Sequence, residues 1–169
     1  MLMNKLQQIH SKIYLLNSKS FAKPENKKVV FTNGCFDILH KGHVEYLAQA
    51  SELGDYLIVG INSDASVKAQ NKGVERPINS IEGRSAVLAG LGFVDAVIEF
   101  DAETPLKLIE NILPDVLVKG ADYNPDQTDP NSKDYIVGRE AVLKNGGQVK
   151  VIDLLEGYST TNIVNKLNK

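Results

Sequence analysis

Apolar residues along this chain follow two alternating patterns. Short, nearly continuous apolar runs, typical of strands buried on both faces, occupy residues 29–32, 55–61, 94–100, 114–120 and 148–152. Segments with helical spacing lie between and after them, at 42–53, from 64, 80–91, from 104, 135–144 and 160–167. This alternation predicts an α/β fold: a single Rossmann-like, doubly wound domain with a five-stranded parallel sheet.

The first 27 residues follow a different pattern. Leu2, Leu6, Ile9, Ile13 and Leu16 recur at helical spacing and predict one amphipathic helix, which a polar stretch at 23–28 then ends. We therefore expect an N-terminal helix and linker over 1–27 and a domain over 28–169. The N-terminus has no long apolar stretch, so we expect neither a signal peptide nor a membrane partner.

Composition narrows the range of possible functions. A length of 169 residues suits one domain, and a net charge of -2 argues against a nucleic-acid partner. A single cysteine, Cys35, excludes an intrachain disulfide and fits a reducing, cytoplasmic location. One cysteine and three scattered histidines also predict no metal site formed by the protein alone.

Polar clusters follow four of the predicted strands. Because the carboxyl ends of parallel strands meet at one edge of an open sheet, we expect these clusters to converge there. They are the loop from Asn33 to His43, residues 62–64, residues 119–122 and residues 159–161.

The loop after the first strand has the most specific chemistry. It leads from a strand through Gly34, His40, Gly42 and His43 to a helix N-terminus, where free N–H groups and the helix dipole favour a phosphate. Two imidazoles there can donate hydrogen bonds to a phosphoryl group while its charge is redistributed. The loop therefore predicts nucleotidyl transfer, whereas the isolated His10 is read as a solvated side chain.

Residues 34–43 (GCFDILHKGH) and 159–164 (STTNIV) resemble the two signatures of the cytidylyltransferase-like nucleotidyltransferases. Four middle segments, 62–68, 76–79, 87–91 and 115–120, are similar to the heptose branch of that family. The resemblance implies transfer of AMP from ATP to D-glycero-D-manno-heptose 1-phosphate, giving ADP-heptose and pyrophosphate. It also implies Mg²⁺ bound mainly through phosphate oxygens, a sugar phosphate as the small-molecule partner, and a homodimer.

The same resemblance assigns residues to roles. His40, His43 and Lys68 are the expected catalytic residues, and Asp37, Asp64 and Arg76 are expected to bind the substrate. The nucleotide is expected to contact residues from the first loop and from the last two clusters: Asn33, Gly34, Cys35, Phe36, Gly42, Lys119, Gly120, Asp122, Ser159, Thr160 and Thr161.

Simpler structural roles remain open for several of these residues. The hydroxyl cluster at 159–161 can cap the last helix, and Asp37 and Asp64 can stabilise turns. The basic residues Lys68, Lys72 and Arg76 lie in an irregular loop predicted from about Lys68 to Pro77, and they can form a solvated face. Arg84 can make a salt bridge or a subunit contact.

Other functions remain open as well. The nearest is cytidylyl transfer to glycerol 3-phosphate or a related alcohol phosphate. Against it, Leu154 and Leu155 stand where the glycerol 3-phosphate enzymes carry an arginine and a threonine. A nucleotide-binding module without activity is a second alternative, and a fragment of an aminoacyl-tRNA synthetase is a third.

Overall fold

The computed structural model describes residues 3–15, 21–70 and 76–167. In these ranges the chain forms six strands, β1 (Ile13–Tyr14), β2 (Val29–Gly34), β3 (Tyr56–Asn62), β4 (Ala96–Phe100), β5 (Val116–Gly120) and β6 (Gln148–Ile152). The helices in the same ranges are α1 (Lys5–Ser11), α2 (Lys41–Ser51), α3 (Asp64–Ala69), α4 (Ile81–Ala89), α5 (Leu106–Ile112), α6 (Arg139–Lys144) and α7 (Thr160–Leu167).

Each face of the sheet has its own hydrophobic core. Val30 of β2 packs on one face with Leu47 of α2 and Leu88 of α4. Phe31, the next residue, packs on the other face with Ile109 of α5. Side chains alternate across a strand, so the continuous apolar runs supply both cores at once. The predicted doubly wound arrangement is therefore present in the described chain.

The strands are all parallel, in the order β1-β4-β3-β2-β5-β6. From β2 the chain builds outward through β3 to β4, and then returns to the other side of β2 with β5. Phe31 of β2 accordingly lies beside Ile58 of β3 on one side and Leu117 of β5 on the other. The order reverses at β2, so the loop that leaves its carboxyl end opens into the crevice where such sheets bind ligands.

The N-terminal segment differs from the prediction. Helix α1 ends at Ser11, and Ile13 and Tyr14 form an edge strand that pairs with Val97 and Ile98 of β4. The sheet therefore has six strands, and the prediction of five is wrong by this edge strand. Ile13 falls at helical spacing but instead satisfies the open edge of β4. Leu2 and Leu16, which completed the predicted helix, lie outside the described residues.

Two helix boundaries also differ from the sequence pattern. Helix α6 begins at Arg139 rather than at 135, because Gly138 stands before it with a φ of 87°, in the left-handed region. Helix α3 extends to Ala69 and so includes Lys68, which was predicted to begin an irregular loop. Lys72, from the same predicted loop, lies outside the described residues. Ser80, the first residue of the predicted helical segment 80–91, is the N-cap of α4, since its Oγ accepts from the Gly83 N–H.

Within the described ranges, no helix combines the length and the apolar character needed to cross a membrane.

Candidate functional site

A cleft of about 730 Å³ lies at the carboxyl edge of the sheet. Its centre is the loop between β2 and α2, which ends at His40, together with the first turn of α2, which carries His43. One side, here named the β5–α7 wall, is formed by Lys119, Gly120, Asp122, Ser159 and Thr160. The opposite side, here named the β3–β4 wall, is formed by Asn62, Gln70, Glu103 and Thr104.

His40 and His43 form a stacked pair at the start of α2. Their ring centroids are 3.7 Å apart and the ring planes differ by 18°. Phe36 contacts His43 edge-on at 5.2 Å between centroids, which supports the pair from the loop side. His40 is the N-cap of α2, and its Nδ1 accepts from the His43 backbone N–H at 3.4 Å. A neutral His40 with Nδ1 accepting carries its proton on Nε2, which is then available as a donor.

Both imidazoles are held in the neutral form. Burial lowers the pKa of His40 below its ordinary value. Burial, followed by the neighbouring His40 ring, lowers the pKa of His43 to about 4. The Ile38 carbonyl opposes this shift, although the buried Nδ1 of His43 makes no hydrogen bond of ordinary geometry in the described structure. The pair therefore presents neutral donors to an incoming anion.

Gly42 allows Tyr158 and the His40 ring to approach the first turn of α2 closely. A Cβ at this position would lie 3.1 Å from Tyr158 Cβ and 3.2 Å from the His40 ring atoms Nδ1 and Cε1. The absence of a side chain keeps the free N–H groups of the first turn open to a phosphate.

The β5–α7 wall places a lysine and hydroxyl groups beside the histidines. Lys119 lies with its Nζ 5.0 Å from the centre of the Tyr123 ring. Ser159 Oγ accepts from the Asn162 N–H at 3.0 Å and so caps the start of α7. The capping role left open by the sequence is therefore present, and Ser159 and Thr160 also line the cleft.

Asn33 is buried in part at the end of β2, and its Oδ1 has no hydrogen-bond partner among the described residues. A buried acceptor without a hydrogen bond costs free energy, and a ligand that donates an O–H or N–H to Asn33 Oδ1 would remove that cost. Phosphate oxygens carry no such donor when ionised.

Asp37 is not among the residues that line the cleft, and it holds the segment from Arg76 to Asn79. Its Oδ2 accepts from Arg76 at 2.8 Å, and its Oδ1 accepts the backbone N–H groups of Ile78 and Asn79 at 2.8 and 3.0 Å. Burial acts to raise the pKa of Asp37, but the hydrogen bonds from Asn79, Arg76 and Ile78 outweigh it and the pKa is lowered. Asp37 and Arg76 are thus bound to each other and lie outside the cleft lining.

Asp64 is likewise bound to an arginine, the buried Arg84 of α4, at 2.7 Å. The guanidinium of Arg84 also donates to the carbonyls of Cys35 at 2.7 Å and Asn62 at 2.8 Å, and its Nε donates to the carbonyl of Asn79. Arg84 thereby ties the histidine loop to the end of β3 and to α3. It was read as a salt-bridge or contact residue, and in the structure it also supports the loop backbone.

The cleft brings together most of the residues expected to bind the nucleotide or act in catalysis. Those lining it are Asn33, Gly34, Cys35, Phe36, His40, Gly42, His43, Lys119, Gly120, Asp122, Ser159 and Thr160. Lys68 and Thr161 are exposed and are not among the lining residues. Asp37, Asp64 and Arg76 also lie outside it.

Sequence reasoning missed the β3–β4 wall except for Asn62. Gln70 ends α3, and Glu103 and Thr104 follow β4, whose exit was not considered among the strand ends. The rule that placed the other clusters at the carboxyl edge applies equally to the exit of β4. Four tyrosines also line the cleft and had no sequence signal of their own: Tyr46, Tyr123, Tyr135 and Tyr158.

No group of three or more His, Cys, Asp or Glu side chains able to hold a metal ion occurs within the described part of the chain. The carboxylates that line the cleft are Glu103 and Asp122, from opposite walls.

Comparison with known proteins agrees with this arrangement. A family model described as cytidylyltransferase-like matches residues 31–166. The bifunctional protein HldE of Campylobacter concisus is 53% identical over 164 residues, which cover 97% of this chain and 31% of that protein. Its counterpart in Pseudomonas aeruginosa is 54% identical over 148 residues, covering 88% of this chain and 29% of that protein. The chain thus spans about a third of the length of these relatives.

A solved structure, the lipopolysaccharide core biosynthesis protein from Thermoplasma volcanium, superposes with a TM-score of 0.57. The match covers 79% of this chain and 100% of that one, at 28% sequence identity.

Proposed function

Because this chain belongs to the cytidylyltransferase-like family, we propose that it transfers AMP from ATP to D-glycero-D-manno-heptose 1-phosphate and releases ADP-heptose and pyrophosphate. The observation that carries the proposal is the stacked, neutral pair His40 and His43 at the N-terminus of α2. The heptose substrate is supported by the four middle segments similar to the heptose branch. The likeness to a lipopolysaccharide core biosynthesis protein agrees with it.

The proposed step is in-line attack by the sugar phosphate oxygen on the α-phosphorus of ATP. The new P–O bond forms as the bond to pyrophosphate breaks, and pyrophosphate leaves with the electron pair. A phosphate nucleophile is already ionised near neutral pH, so the step requires no general base. The work of the protein is to position the two phosphates and to stabilise developing charge.

His40 and His43 donate to the α-phosphate and to the bridging oxygen, most strongly as the bond to pyrophosphate breaks. Two anionic substrates in the cleft would raise the pKa values of both rings from their lowered state, because a nearby negative charge favours the imidazolium. The free N–H groups of the α2 first turn, opened by Gly42, share the same charge.

The nucleotide is assigned to the β5–α7 wall and the adjoining loop. Lys119 and the hydroxyls of Ser159 and Thr160 supply the cation and the donors that a triphosphate needs. Mg²⁺ fits this site as a partner of the phosphates, since the described cleft offers isolated carboxylates rather than a cluster. Asp122 is the carboxylate on this wall that would contribute to holding it, and the ion would neutralise charge on the leaving pyrophosphate.

We assign an indirect role to Asp37, Asp64 and Arg76, which hold the loop between β2 and α2 in place. Asp37 with Arg76, and Asp64 with Arg84, brace the histidine loop and the segments beside it. The role of Lys68 in catalysis stays a prediction, based on the resemblance alone. Thr161 stays a predicted nucleotide ligand on the same basis.

We assign the reaction to residues 28–169 and regard 1–27 as an N-terminal addition to that domain. We also propose a homodimer formed through α1 and α4. Leu6 on α1 and Val87 on α4 are 61% and 52% exposed, which leaves apolar surface for a second copy. Sedimentation equilibrium on the purified chain tests this assembly.

The reaction is tested by measuring pyrophosphate release with ATP or CTP against a panel of sugar and polyol phosphates. The panel includes both anomers of the heptose 1-phosphate, D-mannose 1-phosphate and glycerol 3-phosphate. We expect the highest kcat/KM for ATP with a heptose 1-phosphate. His43→Ala should retain ATP binding but lose turnover by about 100-fold or more, the cost typical of one preorganised donor. His10→Ala, remote on α1, is the matched control.

Preference for CTP with glycerol 3-phosphate would instead establish the cytidylyltransferase alternative. Binding of ATP without turnover on any acceptor would identify a nucleotide-binding module. Weakened ATP binding with normal turnover in His43→Ala would contradict the role given to the histidines.

A further inference from the structure

The β3–β4 wall is chemically unlike the wall that faces it. It presents two amides, a hydroxyl and a carboxylate, from Asn62, Gln70, Thr104 and Glu103, and none of these described members is a cation. The β5–α7 wall carries Lys119. Phosphates are drawn to cations and repelled by carboxylates, so the two walls suit different parts of the substrates.

Gln70 presents an amide with two N–H donors and one carbonyl acceptor on this wall. The Cys35 thiol donates to Gln70 Oε1 at 3.3 Å, which fixes the orientation of the amide. The same thiol lies 3.8 Å from Asn62 Oδ1. No described residue accepts from Gln70 Nε2, which bears two N–H donors, and Gln70 lines the cleft.

Glu103 offers the complementary groups. It is exposed to the cleft as a carboxylate, which accepts hydrogen bonds and donates none when ionised. A hydroxyl both donates and accepts, so the hydroxyls of a sugar match both the amide of Gln70 and the carboxylate of Glu103. A phosphate matches Gln70 alone and is repelled by Glu103.

A hydrogen-bonded chain holds the two residues on one wall although they come from different elements. Asn62 Nδ2 donates to Ser66 Oγ at 2.9 Å, and Ser66 Oγ donates to the Ala102 carbonyl at 2.7 Å. This series of hydrogen bonds joins the end of β3, helix α3 and the loop after β4. Glu103 directly follows Ala102, so its position relative to α3 is fixed by this chain.

From this arrangement we propose that Gln70 and Glu103 bind hydroxyl groups of the acceptor and thereby select a polyhydroxylated sugar phosphate. The assignment rests on the proposed function and names the residues that recognise its second substrate. It also fixes the acceptor's orientation. In-line transfer places the acceptor opposite the leaving pyrophosphate, so its phosphate meets the α-phosphorus that the histidines hold, and its hydroxyls face the β3–β4 wall.

The test compares Gln70→Ala and Glu103→Gln with two matched controls on exposed positions outside the cleft, Gln148→Ala on β6 and Glu110→Gln on α5. Steady-state kinetics are measured with ATP and the sugar phosphate that the wild-type chain uses best. Each test variant should raise the KM for the sugar phosphate about tenfold. Glu103→Gln loses a hydrogen bond to a charged carboxylate, and Gln70→Ala loses the hydrogen bonds of the amide N–H groups. The KM for ATP and both controls should stay at wild-type values.

A second readout separates hydroxyl recognition from general damage to the cleft. Cyclohexyl phosphate has a ring and a phosphate but no hydroxyl, so it competes with the sugar phosphate through its phosphate alone. Its inhibition constant should be the same in the wild type and in both test variants. Loss of sugar phosphate affinity with unchanged inhibition by cyclohexyl phosphate is the expected result.

Unchanged KM for the sugar phosphate in both variants would overturn this inference alone, with the proposed function intact. Equal weakening of ATP, sugar phosphate and cyclohexyl phosphate would also overturn it, because the residues would then support the cleft in general. A wild-type chain that turns over no sugar phosphate would overturn the proposed function and this assignment with it.

Discussion

His40 and His43 show how burial can prepare side chains to stabilise an anion. An exposed imidazolium would attract a phosphate more strongly in the ground state. A neutral, partly buried ring instead strengthens its interaction as negative charge develops, because little solvent competes for the donor. The stacking distance of 3.7 Å also disfavours two positive charges side by side, so the pair is stable when both rings are neutral.

The lowered pKa of His43 predicts a pH dependence of stability. The ring takes up a proton near pH 6.5 in the unfolded chain and near pH 4 in the folded one. Between these values the unfolded chain binds more protons, so the free energy of unfolding falls as the pH falls. Urea denaturation of the wild type and of His43→Gln at pH 7 and pH 4.5 should show an extra loss in the wild type on the order of 2 kcal/mol, allowing for the ring's partial exposure.

His10→Gln on the exposed end of α1 is the control and should keep the wild-type slope. The lowered pKa of Asp37 acts at lower pH, since its contribution is present above the ordinary carboxyl value of 3.8 and is lost below it. Equal slopes in the wild type and in His43→Gln would show that His43 is not held neutral by the fold.

At the residue scale, the sequence predicted which residues lie at the carboxyl edge but carried no signal of the ion pairs that some of the predicted residues form. The histidines, Lys119 and Thr160 line the cleft as expected. Asp37 and Asp64, whose binding to the substrate stays a prediction, bind arginines 39 and 20 positions away along the chain. A pairing over that separation depends on how α4 and the segment before it pack, which no local pattern encodes.

Helix α2 begins with the turn to which we assign catalysis, and Gly42 in that turn affects both the stability of the helix and the position of His40. Glycine weakens a helix interior relative to alanine by about 0.5–1 kcal/mol. The neighbours of Gly42 leave little space for a side chain, because an added Cβ would lie 3.2 Å from the His40 ring. The helix therefore gives up local stability so that His40 can cap it and face the cleft.

Gly42→Ala should lower turnover about tenfold or more, since a displaced imidazole loses much of its donor's effect. The free energy of unfolding should change little, because the gain in helix propensity opposes the cost of moving the His40 ring. Gly83→Ala in α4 is the matched control, because its nearest neighbour to an added Cβ is Ser80 Oγ at 3.8 Å. It should stabilise the chain and leave activity unchanged. Circular dichroism melts and pyrophosphate release measure both effects, and full turnover in Gly42→Ala would contradict the close packing at this turn.

The elements that were predicted correctly are those whose burial produces a clear hydrophobic pattern in the sequence. Strands β2 and β3 are buried on both faces, so their apolar runs are long and unmistakable. Strand β1 has two residues at an edge and leaves too short a pattern to distinguish it from the end of α1. The start of α6 depends on the left-handed backbone of Gly138, and a glycine in a sequence does not reveal its φ.

At the scale of the whole molecule, the cleft is built from both halves of the sheet. The β3–β4 wall comes from strands on one side of β2, and the β5–α7 wall comes from elements on the other. A ligand that spans the cleft therefore binds the folded arrangement of both halves and has no equivalent site in the unfolded chain. Under such linkage, ligand binding raises the free energy of unfolding of the entire domain.

Lys119 provides the test of this coupling. Lys119→Met removes the cation of the β5–α7 wall, while Lys150→Met, on an exposed position of the neighbouring strand β6, is the control. At an ATP concentration 100 times the wild-type Kd, ATP should raise the free energy of unfolding by about 2.7 kcal/mol in the wild type and in the control. A tenfold weaker affinity in Lys119→Met reduces that gain to about 1.4 kcal/mol at the same concentration. Chemical denaturation with and without ATP measures the difference. An equal gain in all three proteins would place the triphosphate away from Lys119, and the division of the cleft into a nucleotide wall and an acceptor wall would then be wrong.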